Sequence, residues 1–320
     1  MQKIYSKGFN GWSQLAILLG LVGGGLIVGG IVVLPIWKIM TGASIMNLEA
    51  DMLKPQYATA AQTIQVVSTI FMFLLPVVIY AFICYKNGWA FLGFGQKLNN
   101  THLLIALLVV VCSVPLISAL EEINKMIPLP PATRLRFDNM EKKYNEQVLA
   151  MIQLKSWGQY FISICVIALL PAVTEELLFR GGLQNLLSLW TRSPWFSIVL
   201  TALLFSAVHL SWYGFFARFF LGMILGAIFY YTQNIWLNIL VHFINNAFVV
   251  TVLFAATKKG QQIDMAAEQN MPLWSGAIAL VLMLLLVRWL MRTSQARLET
   301  DLVILPNSNN PFDEKDIANL

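Results

Sequence analysis

Charge is scarce in this sequence. Asp, Glu, Lys and Arg together make up 12% of the chain, about half the share of ~25% found in soluble domains. Hydrophobic residues reach 58% and the mean hydropathy is +0.69. That balance excludes a soluble, disordered or fibrous chain and points to a polytopic membrane protein. Cysteine is equally sparse. Cys84, Cys112 and Cys165 lie in apolar runs without metal-ligand spacing, and read as buried thiols. No basic run interleaved with aromatics is present, so nucleic acid is not an expected partner. The net charge of +5 reads instead as cytoplasmic anchoring of helix ends.

What fills the chain is long apolar runs. Eight candidate spans lie at about 12–36, 62–85, 101–120, 158–190, 195–212, 214–232, 234–254 and 274–291, against the ~20 residues a helix needs to cross a bilayer. The runs are uniformly apolar, not alternating, which excludes a β-barrel. The expected fold class is therefore all-α, a polytopic membrane helix bundle of about eight transmembrane helices. The fourth run is long enough to tilt or project. The first follows the basic MQKIYSK directly and reads as an uncleaved anchor. Gly20–Gly24, Gly25–Gly29 and Gly222–Gly226 have the small-residue spacing of close helix approach.

Lys3, Lys7, Lys86, Lys97, Arg192, Arg288, Arg292 and Arg297 all fall on one side of an eight-span chain. By the positive-inside rule that side is cytoplasmic. Both termini are then cytoplasmic, and the connection 121–157 lies outside. Within it, 139–155 fits an amphipathic helix resting on the bilayer surface. A polar tail, 292–320, follows the last span. The expected divisions are an N-terminal membrane region 1–155, a core 156–254, a final span 255–291 and the tail.

Residues 158–257 hold only five charged side chains, Glu175, Glu176, Arg180, Arg192 and Arg218, together with His209 and His242. Ionisable groups at membrane depth are costly and mark function by default. Glu176 and Arg180 are i, i+4 and can pair. Glu175 sits ~100° further round the helix, outside that pair. Phe205–His209 and His242–Asn246 repeat the same spacing. At ~1.5 Å per residue from the cytoplasmic ends, Glu175, His209, His242 and Asn246 lie roughly 24, 21, 12 and 18 Å deep. They can therefore meet inside the bilayer. Arg218, near a helix end, is expected to snorkel, and His102 to be interfacial. Asn245 is expected to face away from the group. Trp12, Trp37, Trp89, Trp190, Trp195, Trp212 and Trp236 fall near span ends, as interface residues do.

The chemistry open to this set is limited. No zinc-protease HExxH and no serine nucleophile elbow is present. A buried carboxylate can take a proton from water, and an imidazole beside it can share that task. An imidazole and an amide can donate to the oxyanion of a tetrahedral intermediate. The same Glu175, His209 and His242 could instead hold a metal, with zinc the candidate ion. Either route ends in attack of water on an amide.

At these residues the sequence resembles the CPBP family of intramembrane proteases, the CAAX-protease and bacteriocin-processing group that includes type II CAAX prenyl endopeptidases. The resemblance rests on three motifs in order, each on its own helix. They are Glu175-Glu176-Leu-Leu-Phe-Arg180, Phe205-Ser-Ala-Val-His209 and His242-Phe-Ile-Asn-Asn246, with the extension LFRGGLQ. It covers roughly 156–254. It implies a membrane endopeptidase, often labelled a metalloprotease, in which Glu175 and His209 activate water. His242 and Asn246 would hold the oxyanion, and Glu176, Arg180 and Phe205 would support them. The implied partners are the bilayer and a membrane-embedded or lipidated, CAAX-type peptide. The implied place is a bacterial inner membrane. The resemblance also admits a non-proteolytic scaffold or bacteriocin-immunity role. A proton-relay transporter is disfavoured, because no internal repeat accompanies the polar motifs.

Overall fold

The computed structural model describes residues 6–152, 154–260 and 271–298, with side chains as far as Ser294. Lys3, Arg297 and most of the polar tail fall outside the described residues and side chains. Nine longer helices follow one another: α1 Gly11–Thr41, α2 Pro55–Cys84, α3 Asn100–Met126, α4 Pro131–Met151, α5 Trp157–Thr191, α6 Pro194–Ala207, α7 Phe215–Thr232, α8 Ile235–Lys258 and α9 Leu273–Leu298. Among the described residues there is no strand, only an isolated bridge between Ser6 and Tyr85.

Short polar residues set the helix starts. Asn10, Asn99, Ser156 and Asn234 each accept a hydrogen bond from a first-turn amide of α1, α3, α5 and α8, satisfying donors that the helix leaves unpaired. Pro131 opens α4, where its missing N–H costs nothing. Inside α2 and α5 the chain widens to π-helical bonding over Ile70–Leu74 and Ile164–Leu169. Pro76 and Pro171 follow each widened turn within two residues. A proline removes one helical donor and crowds the carbonyl four residues back, and a wider turn relieves both.

Seven of the helices are long and apolar enough to cross a membrane: α1, α2, α3, α5, α7, α8 and α9. The eighth expected span is α6, which ends at Ala207 after 14 residues. At ~21 Å it is shorter than a ~30 Å hydrocarbon core. Large apolar side chains such as Leu19, Ile27, Ile31, Val111 and Leu284 are exposed on the outside of the bundle. Lipid satisfies such a surface and water does not. Cys165 is among the exposed side chains, so the expectation of three buried thiols fails there. It is spaced along α5 so as to face outward while Ser163 and Val166 face in.

Two apolar cores flank the central helices. One joins α1, α2, α5 and α6 around Leu18, Val77, Tyr80, Leu177, Phe179 and Phe205. The other joins α3, α7, α8 and α9 around Ile105, Val109, Leu225, Ile228, Val241 and Met283. His102 belongs to the second side. It is buried, and its Nε2 lies 3.2 Å from Ser294 Oγ, so it ties α3 to α9 instead of sitting at an interface. Trp37 is fully buried and packs on Tyr57, unlike the exposed Trp12, Trp89, Trp195 and Trp236.

The glycine stripes act unequally. A Cβ on Gly222 would meet that of Ala202 at 3.1 Å, and one on Gly226 would meet Gln184 Oε1 at 2.9 Å. Their absence lets α7 approach α5 and α6. Gly25 and Gly29 admit Phe71 of α2 in the same way, whereas Gly20 and Gly24 face open space.

Helix α4 begins eight residues before the amphipathic segment expected at 139–155. One face of it is taken up by protein. Phe137 stacks on Trp212 at 4.7 Å with the ring planes 8° apart. Glu141 accepts from Ser211 Oγ at 2.7 Å, and Asp138 accepts from the Tyr213 hydroxyl. Asp138 raises the Tyr213 phenol above its ordinary value through that hydrogen bond. At its far end α4 is tied to the short helix Leu48–Asp51 by an ion pair between Lys143 and Glu49, and to α2 by Gln62, which donates to Met151 O at 2.7 Å.

Candidate active site

Glu175 and Glu176 lie on α5 just before its second π-helical stretch, Leu177–Gln184. Such stretches recur at functional positions. Adjacent residues on a helix point ~100° apart, and these two meet different surroundings. Glu176 is fully buried. Its Oε1 pairs with Arg180 Nη1 at 2.7 Å and accepts from His242 Nδ1 at 2.8 Å. Its Oε2 accepts from Asn238 Nδ2 at 3.2 Å. Both lone-pair faces are therefore used, as a buried charge requires.

Arg180 is also fully buried. Beyond Glu176, its Nη2 donates to Gly222 O at 3.3 Å, a carbonyl brought close by the glycine stripe. The guanidinium lies 4.5 Å from the centre of the Phe205 ring, within cation–π range. The expected Glu176–Arg180 pair thus forms, and four further groups brace it: His242, Asn238, Gly222 O and the Phe205 ring.

Glu175 differs. Its side chain is 14% exposed and makes no hydrogen bond among the described residues. Its Oε2 stands 3.9 Å from His242 Nε2, beyond direct bonding range. The two nitrogens of His242 are therefore divided: Nδ1 is held by Glu176 and Nε2 faces Glu175. A carboxylate only accepts, so Nδ1 carries a proton.

His209 does not lie inside a helix, as the span 195–212 implied. It occupies the turn just after α6, held by a bond between its Nδ1 and Phe205 O at 2.8 Å. A carbonyl accepts, so this ring also carries its proton on Nδ1 and leaves Nε2 free. The next residue, Leu210, is in the left-handed region at φ 52°, a conformation that costs a side chain about 1–3 kcal/mol. The turn is held from three helices. Asn124 of α3 donates to Trp212 O and to Tyr213 O, α4 contributes Glu141, and Arg218 of α7 donates to Ser211 O at 2.8 Å.

Phe205 joins the parts. Its ring meets His209 edge-on at 5.0 Å and His242 at 5.9 Å, with Phe179 at 5.3 Å behind. The structure therefore gathers Glu175, Glu176, Arg180, Phe205, His209 and His242 around one ring. Asn246 lies one turn beyond His242 on α8, half-buried, with no hydrogen bond to the group. Its neighbour Asn245 faces α3, where it accepts from Ser113 Oγ at 3.2 Å.

Two residues were not legible in the motifs. Asn238 is fully buried and donates both to Glu176 and to Leu225 O, the latter at 2.7 Å. It stands four residues before His242, so running the i, i+4 stripe backward from His242 and Asn246 would have found it. Arg218 was expected to snorkel; it turns inward instead, to Ser211 O and to the ring of Tyr144, 5.8 Å from the guanidinium carbon.

Zinc would need three protein ligands converging at ~2.0–2.2 Å from one point. Among the described residues no group of three His, Cys, Asp or Glu side chains converges closely enough to hold a metal. Glu175, His209 and His242 do not fit such a site as they stand here, and no step below is routed through a metal.

Residues 157–248 match the model of a family described as type II CAAX prenyl endopeptidase Rce1-like. The match covers less than a third of the chain and contains all three motifs. Over these residues the chain is similar to that family, and the match supports a CAAX-type intramembrane endopeptidase in general. No curated protein and no solved structure matches the chain.

Proposed function

We propose that this protein is an intramembrane endopeptidase that hydrolyses a peptide bond of a lipidated, CAAX-type substrate with water activated by Glu175. One observation carries the reading: two adjacent glutamates with opposite commitments. Glu176 is enclosed and fully bonded. Glu175 is partly open, unbonded, and aimed at an imidazole nitrogen 3.9 Å away. A water can bond both groups at normal length with an angle near ~90°.

In this reading Glu175 removes a proton from water while the oxygen adds to the scissile carbonyl carbon. His209 shares the task through its free Nε2. The oxyanion is met by His242 and by the Asn246 amide. Glu175 then returns the proton to the leaving nitrogen as its bond to the carbonyl carbon breaks, so that a carboxylic acid and an amine result. Glu176, Arg180, Asn238 and Phe205 act as positioning residues, since each reaches the reaction only through His242 or His209. The catalytic core is 156–254. The surround is 1–155 and 255–291, and the whole sits in a bacterial inner membrane.

The test is cleavage in liposomes by wild type and Glu175→Gln. Prenylated C-terminal peptides and membrane-spanning peptides are supplied, each with and without a chelator. Loss of about 10²-fold or more is expected in Glu175→Gln, with its helicity and unfolding unchanged. Retained cleavage would refute the mechanism. A biological phenotype that survives the substitution would instead favour a scaffold or immunity role. Chelator sensitivity would call for a metal that this arrangement of side chains does not gather.

A further inference from the structure

Arg180 is committed to Glu176; Arg218 has no such commitment. It lies in the first turn of α7, half-buried, and no carboxylate among the described residues comes within ion-pair distance of it. Its contacts are Ser211 O at 2.8 Å, the Tyr144 ring and the bare backbone of Gly214, where any Cβ would strike the guanidinium. Its Nε is buried without a hydrogen-bond partner. The acids around it are otherwise placed: Glu141 accepts from Ser211 Oγ, and Glu175 faces His242. Arg218 is still near enough to the reactive group for its charge to be felt at both Glu175 and His209.

A cation without an ion-paired carboxylate at membrane depth is costly. A guanidinium has five donors in a planar fork matched to a carboxylate, and here one is used on Ser211. The anchor, Ser211, is two residues from His209, at most ~7 Å along the backbone. Two or three residues of extended peptide span ~7–10 Å. We propose that Arg218 binds the C-terminal carboxylate of the substrate. The inference rests on the protease reading, and a CAAX motif is by definition C-terminal. Gly214 gives the guanidinium its slot, and Tyr144 of α4 packs over it.

The experiment compares one prenylated peptide as free acid and as C-terminal amide. Wild type is expected to favour the acid in kcat/KM by roughly 10- to 100-fold, the range of a hydrogen-bonded charge contact. In Arg218→Gln the acid-over-amide ratio should collapse toward one, and Arg218→Lys should keep part of it. Binding of the two peptides to Glu175→Gln gives the same ratio without turnover, and stands alone should Arg218→Gln fail to fold. Equal use of acid and amide by wild type overturns the inference and leaves the protease reading intact. So does an Arg218→Gln loss shared equally by both peptides, which would assign Arg218 to holding the Ser211 turn. A folded wild type that cleaves neither peptide removes the protease reading and this inference together.

Discussion

Replacing Arg180 with Met should destabilise the protein out of proportion to the one side chain lost. The guanidinium gives Glu176 its ion pair at 2.7 Å, bonds Gly222 O at 3.3 Å and lies 4.5 Å from the Phe205 ring. Both partners of the pair are wholly buried. Methionine fills most of the volume, so the cost is electrostatic. It leaves Glu176 a buried carboxylate with only His242 and Asn238 to face it. Breaking a buried pair from one side costs about 3–5 kcal/mol, a large part of the ~5–15 kcal/mol that holds a typical domain together. Glu176→Gln alone strands Arg180 and should cost a similar amount. The double variant Glu176→Gln/Arg180→Met strands neither charge. It should recover most of the loss, giving a coupling of several kcal/mol in the double-mutant cycle. Reversible unfolding of the four proteins in mixed micelles measures this directly. Activity should not follow stability. The double variant keeps a carbonyl behind His242 Nδ1 but no longer a charge, and its cleavage rate should stay well below wild type. An Arg180→Met cost under about 1 kcal/mol, or a double variant no more stable than the singles, would refute the reasoning.

Two further outcomes follow from the same geometry. Asn238→Leu removes the bonds to Glu176 Oε2 and Leu225 O and should cost about 2–3 kcal/mol in the same unfolding assay; a change below about 0.5 kcal/mol would show that Glu176 does not depend on that amide. Glu49 is held below the ordinary carboxylate value, first by the hydrogen bond from Lys143 and then by its charge. A lowered folded value means that the tie between α4 and Leu48–Asp51 is complete above the unfolded value, near ~4.3, and is lost as pH falls through the folded one. Spin-label distances between the two helices should therefore be constant from neutral pH down to the ordinary carboxylate value and lengthen at lower pH, as the folded group is protonated, and the same pH profile in Glu49→Gln would exclude the tie.

The class of fold was legible because bilayer burial writes itself as long apolar runs, and seven of the eight expected spans appear as helices long enough to cross. The exception, α6, shows where that signal ends. Hydropathy continues through Ala207, Val208 and Leu210, but the backbone turns, because Asn124, Glu141 and Arg218 capture it from three other helices. Those partners lie 70 or more residues away in Asn124 and Glu141, and no local pattern reports them. The same reason hid the inward turn of Arg218. At the site, i, i+4 spacing gave the Glu176–Arg180 pair correctly, since both ends lie on one helix. It could not give the bond from His242 to Glu176, which joins α8 to α5, nor rank the two glutamates by environment.

That ranking is what the architecture supplies. Two identical side chains at successive positions point ~100° apart on a helix, so each meets different neighbours. The small residues of α7 bring Gly222 O to Arg180, and Arg180 draws Glu176 inward. Asn238 and His242, spaced one turn apart on α8, complete its shell from the other side. Glu175 is left facing His242 Nε2 at 3.9 Å, while His209 occupies the turn just after α6. In the proposed reaction Glu176 is thus the fixed charge that orients His242, and Glu175 the one that meets water. Exchanging those roles would require turning α5 by ~100°, against the bonds of Arg180 and both packed cores.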